Sequence, residues 1–390
     1  MLLDVTQKRN AALIQAAQDM HRSGRIPPNT YVIDLEAVEA NARCLAEASR
    51  ATGVELYFVS KQFGRNPLVI EAIARHLPRG TGIDAQEAFR ISESGAALGN
   101  VGHLVQIPEA LIWEILRLRP EVVTVFSFEK AASISRAAES LGFVQPILLR
   151  VCGADDYVFP GQEGGIPLAA LADVGCRIQR DLGGVRVAGI TAFPCLNFDP
   201  SRGEFAATAN FETLTRARRE LDSAGIEVTH VNAPSGTCVS TLPLLKHLGA
   251  THAEPGHALT GSTPLHAVRH DEPEIPAMVY VSEVSHLLED GRVAVFGGGF
   301  YRRGNVHSGL VVTSRGPSVL LRAEALDPTC IDYYRLLAAP DEPGSVRVGD
   351  SVVFAFRTQV FVTTSRVAVV SGAKSRPELA GLFDAVGNAV

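Results

Sequence analysis

Short apolar runs alternate with stretches of helical periodicity along most of this chain. Residues 5–23 place apolar positions at helical spacing and stop at Ser23-Gly24 and Pro27-Pro28, which predicts one amphipathic helix. A strand-like run at 31–35 leads into a helix at 36–51. Eight further apolar runs follow, at 54–60, 80–84, 100–107, 121–127, 146–152, 185–193, 227–233 and 250–254, separated by helix-length segments. That alternation predicts parallel strands with crossover helices, and eight of them predict a (β/α)8 TIM barrel. From about residue 264 the pattern changes to strand-like runs in close succession, at 278–285, 292–296, 308–312, 318–323, 351–356 and 358–363, joined by Gly and Pro turns. Such spacing predicts a separate C-terminal β domain. The expected organisation is a helical segment at 1–29, a barrel at 30–264 and a β domain at 265–390, with the proline-containing stretch 264–276 as linker.

Composition narrows the function. With 390 residues and 46% hydrophobic content the chain buries a large core, and its length suggests two domains. A net charge of -6 without a basic run argues against a nucleic-acid surface. No stretch is long and apolar enough for a membrane span, and Asp4, Lys8, Arg9, Asp19, Arg22 and Arg25 interrupt the region where a signal peptide would be apolar. The six cysteines are scattered, with no C-x-x-C pair and no metal-ligand spacing, so a cytoplasmic protein is expected. Small-molecule chemistry is the default reading.

Lys61 closes the apolar run 54–60 and is followed at once by a turn. A lysine beside so hydrophobic a strand is paired, snorkels to solvent or is chemically employed; a Schiff-base lysine would sit there. The carboxyl ends of the eight runs carry, in order, Lys61, Asp84, His103 with Gln106, Ser127, Arg150, Ala192 with Phe193, Ser235, and Glu254. A barrel gathers its chemistry at that face. After the seventh run comes Asn232-Ala-Pro-Ser235-Gly236-Thr237, and after the eighth Glu254-Pro-Gly256-His257-Ala-Leu-Thr260-Gly261. Barrels bind phosphate with these two loops, through backbone N–H groups that small residues leave accessible. Gly297-Gly298-Gly299 lacks a G-x-G-x-x-G register and is not read as a dinucleotide site.

Lys61 after the first barrel strand, Ser235-Gly236 after the seventh and Glu254-Pro-Gly256 after the eighth resemble the pyridoxal 5'-phosphate enzymes of the alanine-racemase-like fold (fold type III). Within that group the stretches 60–67, 101–108, 160–165, 254–261 and 297–304 resemble the YhfX-like branch. The resemblance implies that Lys61 forms the internal aldimine and that Ser235, Gly236, Thr237 and Gly256 hold the phosphate, with His257, His103 and Arg150 in the cofactor pocket. Arg150 is placed at the ring oxygen; His103 is equally a core histidine. In similar decarboxylases an E-P-G motif sets its carboxylate on the pyridine nitrogen, where alanine racemases have an arginine, so Glu254 implies a protonated ring and a strong electron sink. Otherwise Glu254 pairs with His252 or His257.

The resemblance further implies a cytoplasmic homodimer with active sites at the subunit interface, acting on an amino acid by Cα proton abstraction from an external aldimine. This is the chemistry of a racemase or epimerase; a decarboxylase, another Cα-bond lyase and a non-catalytic cofactor-binding protein are the alternatives. Racemisation needs a base opposite Lys61, taken from the β domain: Tyr301 leads, with Cys195, His286 and Tyr333 behind it, and Tyr301 is otherwise a packing aromatic. Arg302, Arg303, Arg357 and Gln162 are the substrate-binding candidates, the arginines suggesting an acidic amino acid. Two positions depart from the family pattern. Ala192 stands where many members stack a histidine on the ring, and Phe356-Arg357-Thr358-Gln359 stands where similar D-threonine aldolases and D-serine dehydratases have a zinc-binding His-x-Cys pair, so no metal is expected there.

Overall fold

The computed structural model describes residues 1–313, 316–327 and 329–390. These residues form two compact units, one of Ala42–Ser60 with Ile73–Gly256, the other of Met1–Asn41, Lys61–Ala72 and His257–Val390.

The first unit is a parallel barrel. In chain order its eight strands are Glu55–Leu56, Arg79–Gly82, Ala97–Val101, Val122–Val125, Gln145–Cys152, Val185–Thr191, His230–Asn232 and His252–Ala253, and the eighth pairs back onto the first. The remaining seam, between first and second strands, closes at one bridge: the Phe58 N–H donates to Arg79 O (3.0 Å) and the Thr81 N–H to Phe58 O (2.7 Å). Strands buried on both faces read as continuous apolar runs, and Ile147, Leu148 and Leu149 in the fifth strand are wholly buried. Gly99 is a steric requirement, because a Cβ there would stand 2.2 Å from the Tyr57 ring.

Two polar residues of the predicted ring start helices. Asp84 Oδ1 accepts the Glu87 N–H at 2.8 Å and Ser127 Oγ the Lys130 N–H at 3.3 Å, capping Ala85–Glu93 and Phe128–Ser140. Gln106 is a staple between loops, donating to Gly102 O and Thr124 O and accepting from the Phe126 N–H. Glu87, fully buried, accepts both the Ser60 N–H (2.8 Å) and the Ser60 hydroxyl (2.7 Å), with its second oxygen on the Ile83 N–H (3.3 Å). It therefore fixes the backbone immediately before Lys61. A hairpin of Leu196–Asp199 and Glu204–Ala207 was not anticipated from the sequence.

The second unit is built on a nine-stranded sheet. Its centre is Thr30–Asp34, which the sequence assigned to the barrel segment but which pairs antiparallel with Met278–Leu287 and parallel with Arg366–Ser371. Alternation splits the sheet's faces. Val32, Val279, Val281 and Val353 pack with Leu3, Leu13, Ala17 and Met20 of the amino-terminal helices. Tyr31, Tyr280 and Phe354 meet Phe300 and Phe356 in an aromatic cluster, with Tyr31 and Tyr280 centroids 4.9 Å apart.

Three expectations for this unit are corrected. The single helix at 5–23 is two, Leu2–Arg9 and Ala11–Arg22, because Asn10 caps the second by accepting the Leu13 N–H (3.3 Å) while its amide reaches Asp34 Oδ2 and Pro276 O (both 3.0 Å). Residues 358–363 form no strand; Val360–Val362 is a 3-10 turn, closed by the Thr363 N–H and hydroxyl, both donating to Val360 O. Tyr334–Leu337, Arg366–Ser371 and Glu378–Asp384 are additional strands. Because Leu13 is wholly buried under the sheet, Leu13→Ala is expected to lower unfolding free energy by about 2–5 kcal/mol in urea titration, against less than about 0.5 for exposed Arg22→Ala.

Candidate functional site

Donors without acceptors collect where the seventh and eighth barrel strands end. Ser235 and Gly236 both take positive φ, 94° and 62°, an excursion glycine permits and serine rarely makes. Among the described residues, the backbone N–H groups of Ser235, Gly236, Thr237 and Gly256 have no acceptor. The Thr237 hydroxyl, on a side chain only 4% exposed, has no partner either. Thr241 holds the loop from behind, donating to Gly236 O at 2.8 Å. Buried amides and hydroxyls are rarely left unpaired, and such a constellation fits a phosphate. The Ser235 hydroxyl is engaged differently: it donates to Leu196 O (2.7 Å) and accepts the Leu196 N–H (3.0 Å), tying the loop to the hairpin. Thr237 thus offers the side-chain donor that the sequence led one to look for in Ser235.

Glu254, 7% exposed, lies in a polar network across the barrel interior. Its Oε1 accepts the side-chain amides of Asn232 (2.8 Å) and Asn100 (3.1 Å). Asn100 in turn accepts the Thr124 hydroxyl at 2.8 Å, and Asn232 reaches Thr191 Oγ1 at 3.4 Å. A carboxylate withdrawn from water needs such donors. Its amide partners are asparagines from the third and seventh strands, whereas His252 turns toward Thr251 and Glu55. Sequence reasoning missed Asn100, Thr124 and Thr191. The available signal was Asn100 itself, a residue depleted in strands standing inside an apolar run.

Arg150 is buried, and burial lowers its pKa from the ordinary arginine value. It donates to Gln162 O (2.6 Å) and His103 O (3.3 Å), and its guanidinium lies 4.7 Å from the Phe126 ring centroid. All three contacts leave its charge without a carboxylate partner among the described residues. His103 is buried with its ring edge-on to Phe193 at 5.6 Å, and Ala192 is buried beside that phenylalanine. Gln162 carries a buried side-chain oxygen with no donor among the described residues. Cys195 donates its thiol to Ala192 O at 3.2 Å, and burial, with Asp156 and Glu254 nearby, pushes its pKa up; it is a poor base.

Lys61, Tyr301, Arg302, Arg303, Arg357 and His257 belong to the second unit. Lys61, partly buried, opens the 3-10 turn Lys61–Phe63. His257 places Nε2 2.9 Å from Thr358 O, so that nitrogen carries the proton. Burial, then the charges of Arg357 and Lys61, hold its imidazole well below the usual range and hence neutral. Arg357 has its pKa lowered by burial and by Arg303, while Tyr301 opposes that shift, so these three groups share one electrostatic neighbourhood. Tyr301 follows a pinned turn: Asp332 Oδ2 accepts the N–H groups of Gly298 (2.9 Å) and Phe300 (2.8 Å), and the Tyr31 and Tyr280 hydroxyls donate to Gly299 O and Gly297 O. Arg302 is exposed and directed to Cys330 O at 3.0 Å. His286 and Tyr333 are exposed, His286 against the edge of Tyr334.

Comparison with known proteins agrees with this architecture. Residues 33–264 match the alanine racemase N-terminal domain and residues 279–379 the YhfX-like C-terminal domain. The chain is 40% identical over 393 residues to the uncharacterized protein YhfX of Escherichia coli strain K12, covering all of both chains. D-threonine aldolase from Filomicrobium marinum superposes with TM-score 0.65 at 16% identity, over 93% of this chain and 95% of that one. Alanine racemase of Clostridium difficile 630 gives 0.63 at 16%, over 93% and 99%. A barrel with a C-terminal β domain is thus shared by proteins of different reactions. The chain belongs to the alanine-racemase-like, fold type III family, in its YhfX-like branch.

Proposed function

We propose that this protein is a pyridoxal 5'-phosphate-dependent amino-acid racemase or epimerase. The observation that carries the reading is the set of unpaired donors at the ends of the seventh and eighth barrel strands, the N–H groups of Ser235, Gly236, Thr237 and Gly256 with the Thr237 hydroxyl. Phosphate is a ligand that would satisfy such donors. Membership of a family whose members typically use this cofactor supports it independently.

Lys61 is the amine that would bond the cofactor, and the residue before it is held by Glu87. Glu254, its Oε1 already committed to two amides, would hold the ring nitrogen of the cofactor and favour a proton there, since a nearby carboxylate favours the charged pyridinium. Arg150, a buried cation with no carboxylate of its own, serves the ring oxygen. When bound, the cofactor supplies an electron sink for the carbanion at Cα. Lys61 Nζ would move a proton on one face of that carbon and the Tyr301 hydroxyl on the other, with Tyr301 supplied by the second subunit of a homodimer. Arg357, with Arg303, binds the substrate carboxylate or a second acidic group. Glu254 equally suits decarboxylation or another Cα cleavage, and that second reading is favoured by the carboxylate standing where alanine racemases have arginine.

Purified protein is expected to bind the cofactor with a borohydride-reducible visible band that Lys61→Ala abolishes; a band persisting in that variant would overturn the assignment. Thr237→Val is expected to weaken cofactor phosphate binding by about 1–3 kcal/mol, the cost of stranding a charged acceptor, by equilibrium dialysis. Ser235→Ala is expected to act mainly on thermal stability, because its hydroxyl serves Leu196. Incubation in deuterium oxide with a panel of amino acids, followed by chiral chromatography, separates the reactions: Cα label with inversion is the racemase result, carbon dioxide release the decarboxylase result. Absence of both with every substrate would leave only cofactor binding.

A further inference from the structure

The first and second barrel strands meet at one rung, with the Phe58 N–H on Arg79 O and the Thr81 N–H on Phe58 O. A parallel ladder continued by one step would send the Ser60 N–H to Thr81 O and the Ile83 N–H to Ser60 O. Here both N–H groups go instead to one side chain: Glu87 Oε1 accepts Ser60 at 2.8 Å and Oε2 accepts Ile83 at 3.3 Å. The Ser60 hydroxyl adds a third bond, to Oε1 at 2.7 Å. A carboxylate thus stands where the next peptide rung belongs.

Glu87 reaches this seam because its helix, Ala85–Glu93, lies hard against the second strand: a Cβ on Gly82 would stand 2.7 Å from Ala88 Cβ. Asp84 fixes the start of that helix by accepting the Glu87 N–H. An acidic side chain three residues past the cap ordinarily folds back onto the capping residue; this one turns to Ser60 and Ile83. Glu87 and Ser60 are both wholly buried. Withdrawing a carboxylate from water costs more than closing a neutral peptide rung, so burial by itself does not favour this way of joining the strands. What the carboxylate changes is where the ladder ends. The chain leaves the strand after Ser60, and the next residue, Lys61, opens a 3-10 turn.

We infer that Glu87 is a positioning residue for the Lys61 amine, acting through Ser60 to fix the point from which the lysine side chain departs; the inference rests on the reading of Lys61 as the amine that bonds the cofactor. In that bond Lys61 Nζ, as the free amine, adds to the aldehyde carbon, a C=N bond forms and the carbonyl oxygen leaves as water. An amine on a long flexible stem gains the advantage of an intramolecular reaction only when its backbone is held, because misplacement by about an ångström forfeits much of that advantage. Glu87→Gln keeps the shape of the wedge and removes its match. The amide has one acceptor oxygen, so whichever way it turns its NH2 group faces either the Ser60 or the Ile83 N–H, donor against donor.

The test is a double-mutant cycle on the full-length protein, with pyridoxal 5'-phosphate affinity read by equilibrium dialysis, the borohydride-reducible band by absorbance and folding by circular dichroism. Glu87→Gln is expected to weaken cofactor binding by roughly tenfold or more in the parent, and to change it by less than about twofold in the Lys61→Ala background, because Glu87 acts through that lysine. Ser60→Ala, which keeps the N–H bond to Glu87 and loses the hydroxyl, is expected to give a smaller loss in the same direction, again only where Lys61 is present, and it covers the case in which Glu87→Gln does not fold. Equal weakening with and without Lys61 would make the role purely structural and overturn the inference. So would unchanged affinity together with an unchanged rate of band formation in both single variants. A parent protein with no Lys61-dependent band overturns the cofactor reading and this inference with it, which tells the two failures apart.

Discussion

A carboxylate shut inside a barrel must be given hydrogen-bond donors, and the interior of this barrel is organised around that requirement. Glu254 ends the eighth strand nearly free of water, where an ionised group without partners would be strongly unfavourable. Asn232 beside it and Asn100 across the barrel both donate to one oxygen, and Thr124 and Thr191 orient the two amides. Five strands therefore share one polar network. An apolar barrel interior would pack as well, so the network makes sense as the support of a carboxylate kept for use.

The neighbouring loops follow a complementary logic. In the 235–237 turn and at Gly256, donors exceed acceptors, whereas around Glu254 a negative charge is matched by amides. Arg150 adds a cation whose polar contacts among the described residues are carbonyl oxygens. A buried unmatched group costs folding free energy by itself, and an anionic ligand is one that would offset that cost at these donors. In the other unit, the turn before Tyr301 is over-determined by Asp332, Tyr31 and Tyr280. The backbone that leads into Tyr301 is thereby fixed.

Much of this could be read in the chain before it was folded, for identifiable reasons. Parallel barrel strands are buried on both sides, so their apolar runs stand out, and residues just past those runs fall at one mouth by the regularity of the fold. Lys61, Ser235 and Glu254 were singled out in that way. Asn10, Asp84 and Ser127 were harder, since the same residue types serve as helix caps and as site groups, and only the observed hydrogen bonds tell them apart. The strand Thr30–Asp34 looked like part of the barrel because local periodicity carries no information about which sheet a strand joins.

The order of apolar runs, their eightfold count and the small residues at two loop positions were properties of the sequence alone, because burial and backbone sterics act on each residue locally. Partner choice was not. That Ser235 spends its hydroxyl on Leu196 and leaves Thr237 unpaired, that Glu254 takes Asn100 from far along the chain, and that Glu87 takes the Ser60 N–H all depend on contacts between distant segments. Those contacts exist only once the barrel has closed, since hydrogen-bond geometry tolerates a few tenths of an ångström and no local pattern specifies positions that finely.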